Sequence, residues 1–425
     1  MKIYQNPPRE EWRELCRRAE QDNSQIAERV EAIVERVARE GDAALFALAE
    51  QIDGVSLDSL VVTDEEFAYA ESRVSDEVKS AIEVAVKNIS AFHRAQLPKE
   101  LKVITQEGVE CVQRPVAIRR VGLYIPGGTA PLFSTVLMLA LPAEIAGCGE
   151  IILCTPTDKQ GRVAAEVLYA ARRCGVTNVY KAGGAQAIAA MAYGTESVPK
   201  VDKIFGPGNR YVTMAKQMVA ARNTAIDMPA GPSEVMVLAD ASANPTFVAA
   251  DMLSQAEHGR DSQAIVVCDS VALAESVAAE VERQRVLLSR ADYVAESLAN
   301  SRAIVFDNRD DMIAFANEYA AEHLIVSMAD AWGVAAEITA AGSIFIGNYS
   351  PESAGDYASG TNHTLPTSGW AHSCSGVNID SFVRKITIQE LSKSGIEALA
   401  PTIIAMAEAE GLEAHAAAVK VRIEN

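Results

Sequence analysis

Short runs of β-branched and apolar residues alternate with amphipathic segments along most of the chain after residue 116. The runs predict strands at 121–125, 151–154, 179–181 and 203–205, and a second series at 234–238, 264–268, 303–306, 324–327 and 343–346. Segments with helical spacing separate them, for example at 137–145, 163–171, 212–221 and 272–283. Strands that alternate with helices are typical of βα units around mostly parallel sheets, so the sequence predicts an α/β fold.

The two series of strands predict two α/β domains, one inserted into the other. Residues 120–231 would form the inserted domain, and residues 22–119 and 232–379 the domain that it interrupts. In the first part of the interrupted domain, residues 23–96 have helical spacing, with a strand-like run only at 60–62. Two terminal segments, 1–21 and 380–425, lie outside both domains. The second predicts helices at 388–392 and 395–410 and is too small to hold its own core, so it must pack on something else.

Composition and charge narrow the function classes. Of the residues, 49% are apolar and 22% are charged, as in folded globular proteins, and the formal net charge is −19. Nucleic acids and anionic membranes bind clustered Lys and Arg, so we expect neither as a partner and expect a small-molecule substrate instead. Residues 1–20 are charged throughout and no apolar run is long enough to span a membrane, which predicts a cytoplasmic protein.

The seven cysteines are scattered and include no C-x-x-C pair, which favours reduced thiols over disulfides. Cys148 and Cys154 flank an apolar run, and either could act as a nucleophile on an aldehyde. A buried structural cysteine is the more common outcome, because apolar neighbours raise the pKa of a thiol.

Four of the six histidines stand beside or near acidic or amide residues, a setting that suits metal binding or proton transfer. Gln255 and His258 are three positions apart and would share one face of a helix, as two ligands of a single ion require. For His258, a surface histidine near a helix end is the alternative interpretation.

A segment rich in Gly and Ser, residues 350–363, follows a predicted strand and is interpreted as a ligand-binding loop. Within it, Asp356 could bind a metal or organise a turn, and His363 is equally ambiguous. Just before another strand, Glu322 and His323 would form a proton-transfer pair if both face one cleft, and an exposed charged pair if they do not.

A dinucleotide fingerprint, G-x-G-x-x-G, is absent from the predicted strand-to-helix junctions. The turns at 124–128 and 206–209 are rich in Gly but match the fingerprint only in part. The residues alone therefore lead to an α/β enzyme with a candidate zinc site.

Seven segments together resemble the histidinol dehydrogenase family, in that family's order and along nearly the whole chain. They are VGLYIPGG (121–128), GGAQA (183–187), KIFGPGN (203–209), DMPAGPSE (227–234), SQAEHG (254–259), EHL (322–324) and SAGDYASGTNH (353–363). The resemblance implies a homodimer of two incomplete Rossmann-like domains, with the segments 1–21 and 380–425 as accessory dimerisation pieces.

The resemblance also implies the cofactors and the chemistry. Zinc would be bound by Gln255, His258, Asp356 and His415, and NAD would be contacted by Tyr124, Gln186 and Asn209. L-histidinol would be oxidised through L-histidinaldehyde to L-histidine, the last steps of histidine biosynthesis. The four zinc ligands would also contact this substrate, together with Ser233, His323 and Glu410. His323 would be the general base and Glu322 would activate water, while Glu410 and His415 would complete the site of the partner subunit.

One segment departs from the family pattern, and it leaves alternatives open. Residues 367–374 contain Trp370 and His372 where a smaller or a basic residue is expected, so a related primary alcohol such as a sulfopropanediol is the main alternative substrate. An anionic sulfonate would need an additional cation, and the matched motifs offer no unusual Arg or Lys. A zinc hydrolase could use the same ligands with a metal-bound water, whereas a non-catalytic protein is disfavoured by the presence of Glu322 and His323.

Overall fold

The computed structural model of the 425-residue chain describes residues 1–18, 24–127, 131–222, 224–229 and 231–424. Gly128 and Ala230, which belong to two of the motifs above, and the expected boundary between residues 21 and 22 lie outside this part. Two parallel sheets form the body of the protein, and residues 101–106, 109–117 and 383–391 form a smaller antiparallel sheet.

The strands are β1 (Lys2–Gln5), β2 (Leu101–Gln106), β3 (Val109–Ala117), β4 (Arg120–Tyr124), β5 (Glu150–Thr155), β6 (Asn178–Lys181), β7 (Lys203–Phe205), β8 (Ala225–Ile226), β9 (Glu234–Ala239), β10 (Gln263–Cys268), β11 (Arg302–Val305), β12 (His323–Ser327), β13 (Ser343–Ile346) and β14 (Val383–Leu391).

The helices are α1 (Arg9–Leu15), α2 (Ser24–Glu40), α3 (Asp42–Leu48), α4 (Asp64–Arg73), α5 (Asp76–Arg94), α6 (Phe133–Ala146), α7 (Ala165–Arg173), α8 (Gly184–Tyr193), α9 (Arg210–Ala220), α10 (Pro245–Ala256), α11 (Val271–Arg285), α12 (Ala291–Ala299), α13 (Arg309–Tyr319), α14 (Ala331–Glu337), α15 (Glu352–Tyr357), α16 (Lys393–Ala409) and α17 (Glu413–Ile423). None of the helices in the described ranges is long and apolar enough to cross a membrane.

The first sheet has six parallel strands in the order β1-β11-β10-β9-β12-β13. Its central strands β9, β10 and β12 are buried along their whole length and mostly apolar, as expected where helices cover both faces of a parallel sheet. The chain runs outward from β9 through β10 to β11, and later adds β12 and β13 on the other side of β9. The strand order therefore reverses between β9 and β12.

The second sheet has five parallel strands in the order β6-β5-β4-β7-β8, and its order reverses between β4 and β7. Every strand that the sequence predicts in these two sheets is present, with bounds within one residue of those expected. The two sheets confirm the parallel α/β architecture. The strand-like run at 60–62 forms only an isolated bridge between Val61 and Tyr180.

The helices between residues 24 and 94 pack against the five-stranded sheet. Successive side chains of a strand point to opposite faces of the sheet. The β4 side chains on one face pack in a core with α4 and α5, and those on the other face pack in a core with α2 and α3. These helices are thus grouped by packing with residues 120–231, not with 232–379 as expected, because their apolar faces cover both sides of the inserted sheet.

The N-terminal segment is also placed differently from the expectation. β1 pairs in parallel with β11, and Trp12 and Leu15 of α1 lie in the core of the six-stranded sheet. Residues 1–18 are therefore part of that domain and not an accessory piece outside it.

The third sheet is antiparallel, in the order β14-β3-β2, and β14 leads into the helical pair α16 and α17. We call these five elements the arm. The expected helix at 388–392 is wrong, because Ile388 to Leu391 pair with Val112 to Val109 in β3. β2 and β14 are exposed along almost their whole length, and α17 packs mainly on α16.

Candidate active site

The expected catalytic and metal-binding residues of the body converge at the amino-terminal edge of the six-stranded sheet. His323 is the first residue of β12 and lies beside Val235, the second residue of β9. Asn244 caps the start of α10, which returns along the sheet so that Gln255 and His258 lie at its far end. Asp356 comes from α15, after the outer strand β13.

Glu322 and His323 are both buried, with 6% and 4% of their surfaces exposed, so the exposed charged pair is excluded. Glu322 Oε2 accepts a hydrogen bond from the backbone N–H of Glu234 at 2.8 Å and lies 3.7 Å from His323 Nδ1. The other imidazole nitrogen, Nε2, is 3.4 Å from Asp356 Oδ1 but makes no hydrogen bond of good geometry. His323 thus stands between two carboxylates with one polar atom unsatisfied.

Three side chains next to this pair form a group that could hold a metal ion. One ligand atom each from His258, Glu352 and Asp356 lies within 4.8 Å of the other two, and His258 is the solvent-exposed member. The amide of Gln255 is 3.0 Å from both oxygens of Glu352 and donates to them when its nitrogen faces that side, while its oxygen accepts from the N–H of Glu234 at 3.1 Å. Three of the four expected zinc ligands are therefore brought together within one chain.

Burial and charge shift the pKa values of these groups. Burial disfavours the charged form of a carboxylate, and it raises the pKa values of Glu322 and Glu352 to about 8. For His323, burial alone would lower the pKa, but Glu322 and Asp356 outweigh that effect and raise it to about 10. The pKa of Asp356 is lowered, because its interaction with His323 exceeds the opposing effect of its burial.

Glu352 is a site residue that the sequence analysis missed. It is completely buried and accepts a hydrogen bond from Ser254 Oγ at 2.9 Å. The segment 350–363 was interpreted as a loop, but residues Glu352–Tyr357 form a short helix, in which Glu352 and Asp356 are four positions apart and share a face. Had this E-x-x-x-D spacing been interpreted as helical, it would have predicted that the two carboxylates lie side by side.

His363 connects the two α/β domains. Its Nδ1 lies 2.9 Å from the backbone oxygen of Asp356, and its Nε2 lies 3.2 Å from Thr135 Oγ1 in the first turn of α6. Because α6 follows β4, this bridge joins the amino-terminal edge of one sheet to the carboxyl-terminal edge of the other. His363 contacts Asp356 through main chain only and is not a member of the possible metal group.

The expected NAD residues lie at the carboxyl-terminal edge of the five-stranded sheet, on both sides of the point where its strand order reverses. Tyr124 ends β4, and its hydroxyl accepts a hydrogen bond from the N–H of Gly184 at 3.0 Å. Gln186 is nearby in α8, and Asn209 follows β7 and caps α9 through its side-chain oxygen. Open α/β sheets commonly bind nucleotides in the crevice at such a reversal.

Two expected site residues of the arm are not brought to this cluster. Glu410 caps the end of α16 and His415 lies in α17, and both are exposed. His415 is not part of the possible metal group. Ser233, by contrast, directly precedes Glu234 and so lies next to the group that holds Glu322.

The remaining candidates are structural or peripheral. Burial raises the pKa of Cys148 to about 11 and that of Cys154 to about 12, so neither thiol is activated as a nucleophile. Trp370 and His372 lie in a short turn at the surface, where His372 Nε2 is 3.4 Å from the backbone oxygen of Glu318.

Comparisons with known proteins match the whole chain. The family model described as histidinol dehydrogenase matches residues 16–423. The histidinol dehydrogenase of Bacteroides fragilis strain YCH46 is 56% identical over 424 residues, which cover 100% of this chain and 99% of that protein. The one from Aliivibrio fischeri is 53% identical over 412 residues, covering 96% and 93%. The crystal structure of histidinol dehydrogenase from Elizabethkingia anophelis has a TM-score of 0.98 and 49% identity and covers 100% of this chain and 98% of that one.

Proposed function

The chain belongs to the histidinol dehydrogenase family, and from this premise we propose that it oxidises L-histidinol through L-histidinaldehyde to L-histidine, the last steps of histidine biosynthesis. Each oxidation transfers a hydride to NAD, and the second adds the oxygen of a water molecule. The observation that carries this proposal is the buried Glu322–His323 pair beside a group that could hold a metal.

Gln255, His258 and Asp356 would hold a zinc ion. Imidazole and carboxylate groups are ordinary zinc ligands, and the ligand atoms of His258 and Asp356 lie within 4.8 Å of each other and of a Glu352 oxygen. When bound, zinc would fix the imidazole and amino nitrogens of the substrate, and by neutralising Asp356 it would lower the pKa of His323. Gln255 would bind the metal through its amide oxygen, which otherwise accepts a hydrogen bond from the N–H of Glu234.

His323 would take the hydroxyl proton as the hydride leaves. Its unsatisfied Nε2 lies beside Asp356, so a substrate held at the metal group would be within reach of this nitrogen. Glu322 would activate water for attack on the aldehyde. Burial raises the pKa of Glu322 to about 8, so its ionised form is a stronger base than an exposed carboxylate, and the fraction of Glu322 in that form increases as the pH rises toward 8.

NAD would lie along the carboxyl-terminal edge of the five-stranded sheet, against Tyr124, Gln186 and Asn209. The location at the switch point, where Asn209 caps the start of α9, supports this placement. The bridge from Thr135 to His363 brings this edge close to Asp356, as hydride transfer between alcohol and nicotinamide requires.

A second copy of the chain would complete the site with Glu410 and His415. Apolar side chains of the arm are exposed to an extent that a stable monomer rarely tolerates, among them Ile104 (67%), Met406 (61%), Leu101 (55%) and Val421 (52%). Covering these residues in a homodimer would also carry His415 to the partner's metal group, to which its own chain does not bring it.

A steady-state assay of reduced nicotinamide tests the activity. We expect turnover of both histidinol and histidinaldehyde with NAD, and weaker turnover with NADP. Oxidation of a sulfopropanediol without oxidation of histidinol would contradict the substrate assignment, and hydrolysis without any change in nicotinamide absorbance would contradict the reaction class.

Coexpression of two inactive chains tests the shared site. If a His258→Asn chain pairs with a His415→Asn chain, each mixed dimer collects both lesions in one site and leaves the other intact. Random pairing gives about half mixed dimers, so about a quarter of wild-type turnover is expected. If His415 serves its own chain, every site carries one lesion, and confirmed mixed dimers will show no recovery.

A further inference from the structure

Outside the residues that would touch substrate, metal or NAD, one buried ion pair contacts the catalytic pair through the backbone. We propose that Glu234 and Arg18 are positioning residues that hold Glu322 and His323 in their reactive geometry. This inference rests on the proposed function, since it concerns the same reaction.

The backbone of Glu234 contacts both catalytic residues. Its N–H donates to Glu322 Oε2 at 2.8 Å, and its carbonyl oxygen lies 3.4 Å from His323 Nδ1. The N–H also lies within reach of the Gln255 amide oxygen, at 3.1 Å. A rotation or shift of this single residue would therefore move the water-activating carboxylate and the general base together.

The side chain of Glu234 is fixed from the opposite direction. Arg18 Nε donates to Oε1 at 3.0 Å and Arg18 Nη2 donates to Oε2 at 2.9 Å. The Glu234 side chain is buried and that of Arg18 is mostly covered, with exposures of 1% and 19%. A bidentate guanidinium–carboxylate pair fixes both distance and plane, which a single hydrogen bond does not. Ser368 adds a third contact by donating its N–H to Oε1 at 2.7 Å.

Arg18 is itself held rigidly, so it can act as an anchor. Its Nη2 also donates to the backbone oxygen of Tyr319 at 2.6 Å, its Nη1 donates to that of Cys16 at 3.0 Å, and its guanidinium stacks 3.8 Å from the centre of the Tyr319 ring. Tyr319 ends α13, a helix that packs on the six-stranded sheet. The anchor therefore links Glu234 to the body of the domain and not to a surface loop.

Ser368 shows that the carboxylate also orders the neighbouring turn. This residue adopts a positive φ of 55°, a conformation that L-residues rarely adopt. Its N–H is satisfied by Glu234, and the adjacent Thr367 accepts a hydrogen bond from Gly231. The turn and the segment before β9, which includes Ser233, are thus fastened to each other around the Glu234 carboxylate.

Conservative variants test this inference. Glu234→Gln keeps the shape but loses the charge, and Arg18→Lys keeps the charge but loses the two-pronged geometry. Because misplacement of about 1 Å can cost about a hundredfold in rate, we expect kcat for both half-reactions to fall roughly 10- to 100-fold, with the KM for histidinol within a few-fold of wild type and zinc content retained. The double variant should be no worse than the more damaged single variant, since the two act as one unit.

Arg120→Lys and Glu150→Gln provide a matched control. This pair joins the amino-terminal ends of β4 and β5, with side-chain exposures of 33% and 30%, away from the carboxyl-terminal edge where NAD would bind. We expect it to affect stability without affecting kcat.

Each outcome decides the matter. If the Glu234→Gln and Arg18→Lys variants keep the kcat of the control variants, the positioning role is refuted. It is also refuted if these variants lose zinc or unfold at the assay temperature, because Glu234 and Arg18 would then have only a structural role. Failure of the proposed function is seen separately, as a wild-type protein that does not oxidise histidinol at all.

Discussion

Replacing the completely buried Glu352 with glutamine should have opposite effects on the metal-free and the zinc-loaded protein. Burial is the main cause that raises the pKa of this carboxyl from 4.5 to about 8, so the folded state binds a proton that the unfolded state has released at neutral pH. Stability conferred by the group therefore decreases as the pH rises from 4.5 to 8. At pH 7 the cost is about 3 kcal/mol, from about 1.4 kcal/mol per pKa unit.

Glutamine resembles the protonated carboxyl and does not carry this cost. An unfolding entropy of about 2 cal/mol/K per residue converts the gain into a rise of about 3 °C in the Tm of chelated protein at pH 7, and almost none at pH 4.5. Zinc-loaded protein should respond in the opposite sense, because Glu352 would neutralise part of the metal's charge and hold Gln255 by a hydrogen bond. Zinc affinity should fall 10- to 100-fold, the loss that is typical for a partner of metal ligands.

Thermal unfolding with and without zinc, at pH 4.5, 7 and 8, measures both effects. Asp251→Asn is the matched control. Asp251, in α10, is a buried carboxylate like Glu352, and burial raises its pKa to about 7, but Asp251 is not part of the metal group. It should stabilise the chelated protein without changing zinc affinity. A Glu352→Gln protein that gains stability and binds zinc as wild type does would refute the role of this residue at the metal.

Three further predictions concern turnover. Chelation should abolish it and His258→Asn should lower zinc content, so full activity in a demonstrably metal-free preparation would disprove the zinc assignment. His323→Asn should slow oxidation of the alcohol more than that of the aldehyde, and Glu322→Gln should do the reverse, each by on the order of a hundredfold in single-turnover assays. Equal losses in both half-reactions would show that the two roles are not divided. Tyr124→Phe leaves the N–H of Gly184 without its acceptor, so the KM for NAD should rise about fivefold with unchanged zinc content, and an unchanged KM would remove Tyr124 from the cofactor site.

The two parallel sheets were predictable because their strands are buried on both faces. Such strands are continuous apolar runs of four to six residues, as in β9 and β10, and no partner needs to be known to recognise them. The domain grouping was not predictable in this way. An amphipathic helix such as α2 shows that one face is buried, but not which of two sheets it covers.

The helix expected at 395–410 is present as α16, but the antiparallel sheet of the arm was missed, because its strands are not buried. β14 pairs with β3 along its whole length, from Val383 beside Ala117 to Leu391 beside Val109, and these partners are far apart in sequence. Its residues are mostly exposed in one chain, so the local pattern carries little burial signal. The β-branched run Ile386-Thr387-Ile388 was the local indication of a strand, and it was outweighed by the helical spacing that follows it.

Most residues of the candidate site were predicted from the seven segments that resemble the family, and few of them from the spacing of neighbouring residues. Q-x-x-H and E-H are too short to identify a metal site or a proton-transfer pair on their own, and it is the three-dimensional proximity of α10, α15 and β12 that brings them together. Glu352 was missed because a helix of six residues, Glu352–Tyr357, is too short to give a periodic pattern.

The arrangement of the two sheets explains why the cluster lies where α/β enzymes rarely place one. Ligands of open parallel sheets usually bind at the carboxyl-terminal ends of strands, and Tyr124 and Asn209 lie at those ends of β4 and β7. Glu322 and His323 lie instead at the amino-terminal end of β12, which is joined to the five-stranded sheet by the bridge from His363 to Thr135. Glu234 is the first residue of β9, and its backbone N–H donates a hydrogen bond to the Glu322 carboxylate. With NAD on one sheet and His323 on the other, as proposed, the hydride acceptor and the proton acceptor would approach one alcohol from two sides, and Glu234 would orient the proton acceptor.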